Sequence, residues 1–243
     1  MRMLTFARRV TKEILTDPLN LAFGLGFPLV LLFLLSAIQA NIPVQMFEIG
    51  HLTPGITVFG LAFITLFSAT MIAKDRSSAL LQRLYTTPLR PVDFILGYTL
   101  PILPISVAQC AICYVAAVLL GLEITVNILY GILLIVPVAV LYIGLGLLCG
   151  SVLNDKQVGG ICGALLTNLS AWLSGIWFDL DLVGEAFGKI ANALPFVHAV
   201  ELERAMVNGN FAESLPHLFP VLGYAILITI GAICLFLRQM KGQ

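Results

Sequence analysis

The chain has 243 residues, of which 59% are hydrophobic and 11% charged, with thirteen Lys and Arg balancing thirteen Asp and Glu. Soluble domains run at roughly 45–50% apolar and about 25% charged, so this composition excludes an ordinary soluble domain and points to an integral membrane protein. The zero formal net charge says nothing about nucleic acid; the positions of the cations along the chain are what carry information.

The first element is predicted as an interfacial helix within residues 1–17. On a helical wheel Met3, Phe6, Ala7, Val10 and Ile14 share one side, while Arg8, Arg9, Lys12 and Thr16 share the other. A helix of this kind lies in the membrane surface with its cations toward anionic headgroups. The apolar run that follows is too long for a signal peptide, and no small-x-small cleavage site follows it. Six uncharged stretches then come near or above the roughly 20 residues needed to cross about 30 Å of hydrocarbon. They are residues 19–39, 52–73, 94–122, 125–153, 158–178 and 215–237. Lipid offers no partner to an unpaired backbone group, and these runs are too long and uniformly apolar for barrel strands. The expected fold class is therefore all-α, a polytopic protein of six transmembrane helices forming one domain over 1–243.

Eleven of the thirteen cations fall in segments that six spans place on one side, and only Lys189 and Arg204 fall on the other. The positive-inside rule then puts both termini in the cytoplasm of a multi-pass plasma-membrane protein. Between the second and third spans the polar segment 74–93 holds KDRSSALLQRLYTTPLRP. A short helix over 77–85 would put Leu80, Leu81 and Leu84 on one side, and Thr86-Thr87-Pro88 would end it, because the residue before proline is pushed out of the α region. The segment reads either as a contact surface or as a solvated loop with its leucines resting on headgroups.

Within the spans, Gly146-x-x-x-Gly150 and Gly159-x-x-x-Gly163 permit close helix approach, between chains or within one. Cys110, Cys113, Cys149, Cys162 and Cys234 all lie in apolar runs and do not form an extracellular disulfide framework; Cys110-x-x-Cys113 reads as two small packing residues rather than a metal or redox pair. No ionisable residue lies in the middle of a predicted span, which speaks against proton relays and ion-coupled carriers. No nucleophile and base, paired carboxylates or H-E-x-x-H stand at membrane depth, and no G-x-x-x-x-G-K-[ST] occurs. No catalytic residue, metal site or cofactor is expected in this chain.

Residues 179–214, external by the charge rule, hold six acids and two helical patterns separated by Pro195. Leu182, Val183, Ala186, Phe187, Ile190, Ala191 and Leu194 recur at helical spacing, and a second helix starts near His198. Glu201 and Arg204, three apart, read as a solvated surface pair. His198, without a clustered partner, reads as a polar group at an interface.

The succession of amphipathic helix, six spans, cationic loop after the second and helix-break-helix before the last resembles the ABC transporter type-2 permeases, the membrane subunits of ATP-driven exporters. Asp75-Arg76, Leu80-Leu81, Thr87-Pro88-Leu89 and Gly97 are similar to one of its motif series. Leu173-Ser174-Gly175-Ile176-Trp177-Phe178 resembles another, and Leu194-Pro195-Phe196-Val197-His198-Ala199 through Arg204 to Gly209 a third. Lys74 and Ser77-Ser78 depart from the family at the start of the first series, where an acid and a glycine-containing turn are more usual, and Asp179 stands where a proline is usual after the second.

The resemblance implies a second permease chain, identical or paralogous, and separate cytoplasmic ABC ATPase subunits that bind ATP and magnesium. It implies that Asp75 and Arg76 anchor the 74–93 segment, that Leu80, Leu81 and Leu84, with Pro88, seat it on the ATPase, and that Pro195, His198, Glu201 and Arg204 belong to an external hairpin. Trp172, Trp177 and Phe178 are either an exit path or part of an aromatic interfacial belt. Partners are then the ATPase, the second permease and the lipid bilayer, with no nucleic acid. With no charged pore in the pattern, the expected cargo is amphiphilic: a drug, lipid-linked sugar or hydrophobic peptide. An ion-coupled carrier, or a sensing or structural subunit that moves no cargo, would share much of this pattern.

Overall fold

The computed structural model describes residues 2–42, 47–78, 80 and 90–241, and among these it is helical with no strand. Helix α1 covers Arg2–Leu15. Helix α2 covers Pro18–Asn41 and contains a π-helical segment at Ala22–Gly26. Helices α3, α4 and α5 cover Ile49–Ser77, Pro91–Leu119 and Val126–Val152. Residues 155–172 form α6, whose middle, Gly159–Leu166, is again π-helical. Helices α7 and α8 cover Glu185–Ala193 and Pro195–Val207, and α9 covers Phe211–Lys241.

Among the described residues five helices are long and apolar enough to cross a membrane: α2 through α5, and α9. The expected fifth span, 158–178, is instead the helix 155–172 followed by turns. Thr167 and Ser170 donate their hydroxyls to the carbonyls of Cys162 and Thr167, and the helical path gives way to turns after Trp172. At about 1.5 Å per residue this helix reaches roughly 27 Å, slightly short of a hydrocarbon core, and its first turn carries Asp155 and Lys156.

Local signals explain most boundaries. Asp17 caps the start of α2 by accepting from the Asn20 backbone N–H at 3.2 Å, with Pro18 in the first turn. Asn154 and Gln157 form a reciprocal capping box at 2.9 and 3.1 Å. Helix α8 ends in a Schellman motif: the Asn210 N–H donates to the Ala205 carbonyl at 2.8 Å and the Gly209 N–H to Met206 at 3.1 Å. Gly209 sits at φ +77°, where a side chain would be strained.

Helix α3 is the axis of the structure. Of its most apolar stretch 83% is buried, against 22% for α2 and 17% for α9. It packs most extensively on α5, and also meets α4, α6 and α8; α9 lies against α5 and α8. Small residues on α5 set the α3–α5 distance. A Cβ on Gly146 would overlap the Ser68 hydroxyl and the Thr65 carbonyl, and one on Gly150 would stand 2.6 Å from the Ala69 carbonyl oxygen. The Thr65 hydroxyl donates across this contact to the Tyr142 carbonyl at 2.8 Å. Gly146-x-x-x-Gly150 therefore serves packing within the chain, whereas Gly159 has open space around it.

Candidate functional site

The two ends of α3 carry two different polar clusters. At its C-terminal end Asp75 is buried and accepts three hydrogen bonds. Arg9 of α1 donates through both terminal nitrogens, at 2.6 and 2.7 Å, and the Tyr98 hydroxyl of α4 donates at 2.7 Å. Arg9 also pairs with Glu13 at 2.8 Å. The bond to Asp75 raises the Arg9 pKa above its ordinary value, ahead of the opposing effect of burial. Burial raises the Glu13 carboxyl, and the Arg9 charge opposes it. Arg9 thus turns back from the headgroup face on which the wheel placed it with Arg8 and Lys12.

Apolar contacts hold the same joint. Phe6 meets Phe94 and Tyr98 edge to face, with ring centroids 5.8 and 5.0 Å apart. Gly97 gives Phe6 its room, since a Cβ there would overlap the ring. Beside Asp75, Arg76 donates to the carbonyls of Ser151 and Leu153, where α5 ends. A helix leaves its last carbonyls without internal donors, and a guanidinium is well suited to satisfy two of them. Asp75 and Arg76 thus join the C-terminal end of α3 to the middle of α1, the first turns of α4 and the end of α5. Leu80 is partly buried. Leu81, Leu84 and Pro88 lie outside the described residues.

At the opposite end of α3, helix α8 is embedded in the helical bundle. The pair read as solvated, Glu201 and Arg204, does form, at 2.7 Å, but the Arg204 side chain is only 9% exposed. Arg204 also donates to the His51 carbonyl near the start of α3 at 3.4 Å, and to the Gly175 carbonyl in the turn after α6 at 3.2 Å. It ties three elements together, which a surface residue would not do.

One residue earlier, Glu203 is completely buried. The Tyr114 hydroxyl of α4 donates to one of its carboxyl oxygens at 3.0 Å, while the other oxygen has no hydrogen-bond partner among the described residues. Gly131 makes room for this contact: a Cβ there would lie 3.2 Å from both the Glu203 and the Tyr114 oxygens. Burial raises the Glu203 pKa to about 8, with the Tyr114 hydrogen bond pulling the other way. Gln109, one turn away on α4 and also buried, reaches the Thr57 carbonyl at 3.4 Å. The bundle therefore contains an ionisable group, delivered by α8 rather than by a spanning helix.

His198 has a partner after all. Its Nδ1 lies 3.0 Å from Nδ1 of His217 on α9, and its Nε2 lies 3.0 Å from the Asn192 carbonyl. Because that carbonyl can only accept, Nε2 of His198 donates to it, and the two Nδ1 atoms share a hydrogen bond between the rings. Pro195 is buried in the first turn of α8, where its missing N–H costs nothing.

The aromatic residues proposed for an exit path are not brought together. Trp172 is half exposed, Trp177 packs edge to face on Phe59 at 5.6 Å, and Phe178 meets Phe187 at 6.2 Å. On α7 Ala191 is buried and Phe187 packs against the core while Ile190 is exposed; in the turn before it Leu182 and Val183 are exposed.

This arrangement joins helices and buries charge; among the described residues it assembles no nucleophile and base. Residues 2–207 match the family described as ABC-2 type transporter. The chain belongs to that family. Among curated proteins none matches it. Membership makes this ABC-2 chain a membrane component of a transporter, a permease domain and not a catalyst. The matched region holds both clusters on α3 and ends with α8.

Arg9, Tyr98, Tyr114, Glu203 and His217 are the functional candidates that reading the sequence missed. Arg9 and Glu203 carried a signal, each being a charge in an otherwise well-patterned helix. Neither pattern shows which distant residue it meets.

Proposed function

We propose that this ABC-2 chain is the permease subunit of an ATP-driven exporter that moves an amphiphilic substrate such as a drug, lipid-linked sugar or hydrophobic peptide. ATP and magnesium bind a separate cytoplasmic ABC ATPase, which presses on the 74–93 segment. Two permease chains, identical or paralogous, flank the path in the plasma membrane. Helix 155–172 crosses as the fifth of six spans, α1 lies at the inner membrane surface, residues 179–214 are external, and both termini are cytoplasmic.

The observation that carries this reading is the buried joint at Asp75 and Arg76. A segment that merely links two spans has no need of a desolvated carboxylate tied to two other helices, nor of a guanidinium locked onto a third. A segment that receives force does, because a push on it then moves α1, α3, α4 and α5 as one body. Leu80, Leu81, Leu84 and Pro88 supply the contact with the ATPase in this scheme.

The test is to purify the chain from native membranes with its associated proteins and assay ATP hydrolysis in lipid nanodiscs with candidate amphiphiles. Co-purification of an ATPase stimulated by one compound class is expected. Replacing Leu80 and Leu84 by Asp should release the ATPase and leave the fold intact; retained association would refute the coupling role.

Glu203 favours a second reading, ion-coupled transport, since a buried carboxyl is what such carriers use. Uptake into vesicles that collapses with an uncoupler while ATP persists would select it. An ATPase that co-purifies without any accumulation of cargo would instead indicate a sensing subunit.

A further inference from the structure

The joint between α1 and α4 is closed on one flank by Phe6 and open on the other. The open flank is a groove of about 1130 Å³ between α1 and the middle of α4, with Arg8 and Lys12 on one wall. Leu100, Pro101, Pro104 and Ile105 form the other. Two prolines set this wall back, because their rings are short and compact compared with the side chains around them. Leu100 remains 42% exposed, so the apolar wall is not covered by the rest of the chain.

Three cations line this groove. Arg9, the third cation beside it, is committed to Asp75 and Glu13. Arg8 and Lys12 have no ion pair among the described residues. They stand four apart on one helix, where like charges repel. An anion placed between them would relieve that repulsion. An apolar body attached to the anion would cover Leu100, Pro104 and Ile105.

We infer that this groove binds one anionic glycerophospholipid, its phosphate between Arg8 and Lys12 and its acyl chains along the α4 wall. Charge complementarity selects the headgroup, and the apolar wall selects a lipid over a free anion. The bound lipid would fill the gap beside the Arg9–Asp75 joint and so make the position of α1 depend on membrane composition. The inference rests on the interfacial placement of α1 proposed above.

The experiment is native mass spectrometry of the full chain released from nanodiscs of equal phosphatidylglycerol and phosphatidylcholine. Wild type should retain phosphatidylglycerol at least tenfold over phosphatidylcholine, and the R8Q/K12Q variant should retain the two alike. Leu100→Trp, which fills the groove and leaves both cations, should also lower retention. Equal retention by wild type, or no change in R8Q/K12Q, overturns the site. Enrichment untouched by Leu100→Trp overturns it in favour of diffuse attraction to α1, and displacement by excess inorganic phosphate overturns it in favour of a free-anion site. Retention of neither lipid would overturn the membrane placement of α1 itself, while leaving ATPase association, measured separately, to judge the coupling reading.

Discussion

Asp75 and Glu203 are both buried carboxyls near α3, and the fold neutralises them by opposite means. Asp75 is given Arg9 and Tyr98 as partners. Glu203 is given one phenol and, among the described residues, no cation, and is pushed to a pKa of about 8, so the proton supplies what a partner does not. The first device is permanent within the folded chain and suits a joint that must not slip. The second is conditional on pH and on whatever approaches α8.

The comparison can be broken most forcefully at Asp75. Removing one partner of a buried pair leaves the other uncompensated, which costs about 3–5 kcal/mol. Asp75→Ala should destabilise the chain by about that amount in denaturant titrations in micelles, with α1 the first element to become protease-sensitive. Arg9→Ala should reproduce much of the loss, and the double variant should lose less than the sum.

Glu203→Gln should act in the opposite direction. The folded pKa lies above that of an unfolded glutamate, so the folded state binds the extra proton between about pH 4.5 and 8. Stability is therefore highest at acidic pH and falls as pH rises through that window, by up to about 5 kcal/mol. Melting curves from pH 5 to 9 should show this slope in wild type, and Glu203→Gln should flatten it. A slope that survives the substitution would mean that Glu203 is ionised in the bundle.

A smaller effect is expected at Gly146, where added volume meets Ser68 and the Thr65 backbone. Gly146→Ala should cost about 1–3 kcal/mol in the same titration, the usual penalty for overpacking. The smallest belongs to the exposed Glu185–Lys189 pair on α7, 2.6 Å apart but largely solvated. Lys189→Ala should change stability by less than about 0.5 kcal/mol.

Much of the fold was legible because hydropathy alone fixes long apolar helices: the ends of α3, α4, α5 and α9 fall within a few residues of their expected spans, except where polar turns extend α3 and α9. The far end of the fifth stretch differs from its expected bound because apolar character continues past Trp172 through Leu173 and Ile176, while the backbone there has already left the helix. Composition records which residues tolerate lipid, not where the hydrogen-bond ladder stops. Resemblance singled out Asp75 and Arg76, and the structure places both in partly buried contacts between helices. Arg9 was not legible, because an arginine aimed at headgroups and one aimed at a carboxylate 66 positions away occupy the same place on a helical wheel. Arg204 was misjudged similarly: its partner three residues away was evident, but its burial depends on α8 being embedded in the bundle.

The π-helical stretches of α2 and α6 both lie against α3, at Ala22–Gly26 and Gly159–Leu166. A π turn holds one residue more than an α turn, so resetting it displaces everything beyond by one position, about 1.5 Å along the axis and about 100° around it. The stiff central rod is thus sleeved by two helices that each hold a spare residue, and can change register against it without losing their helical path.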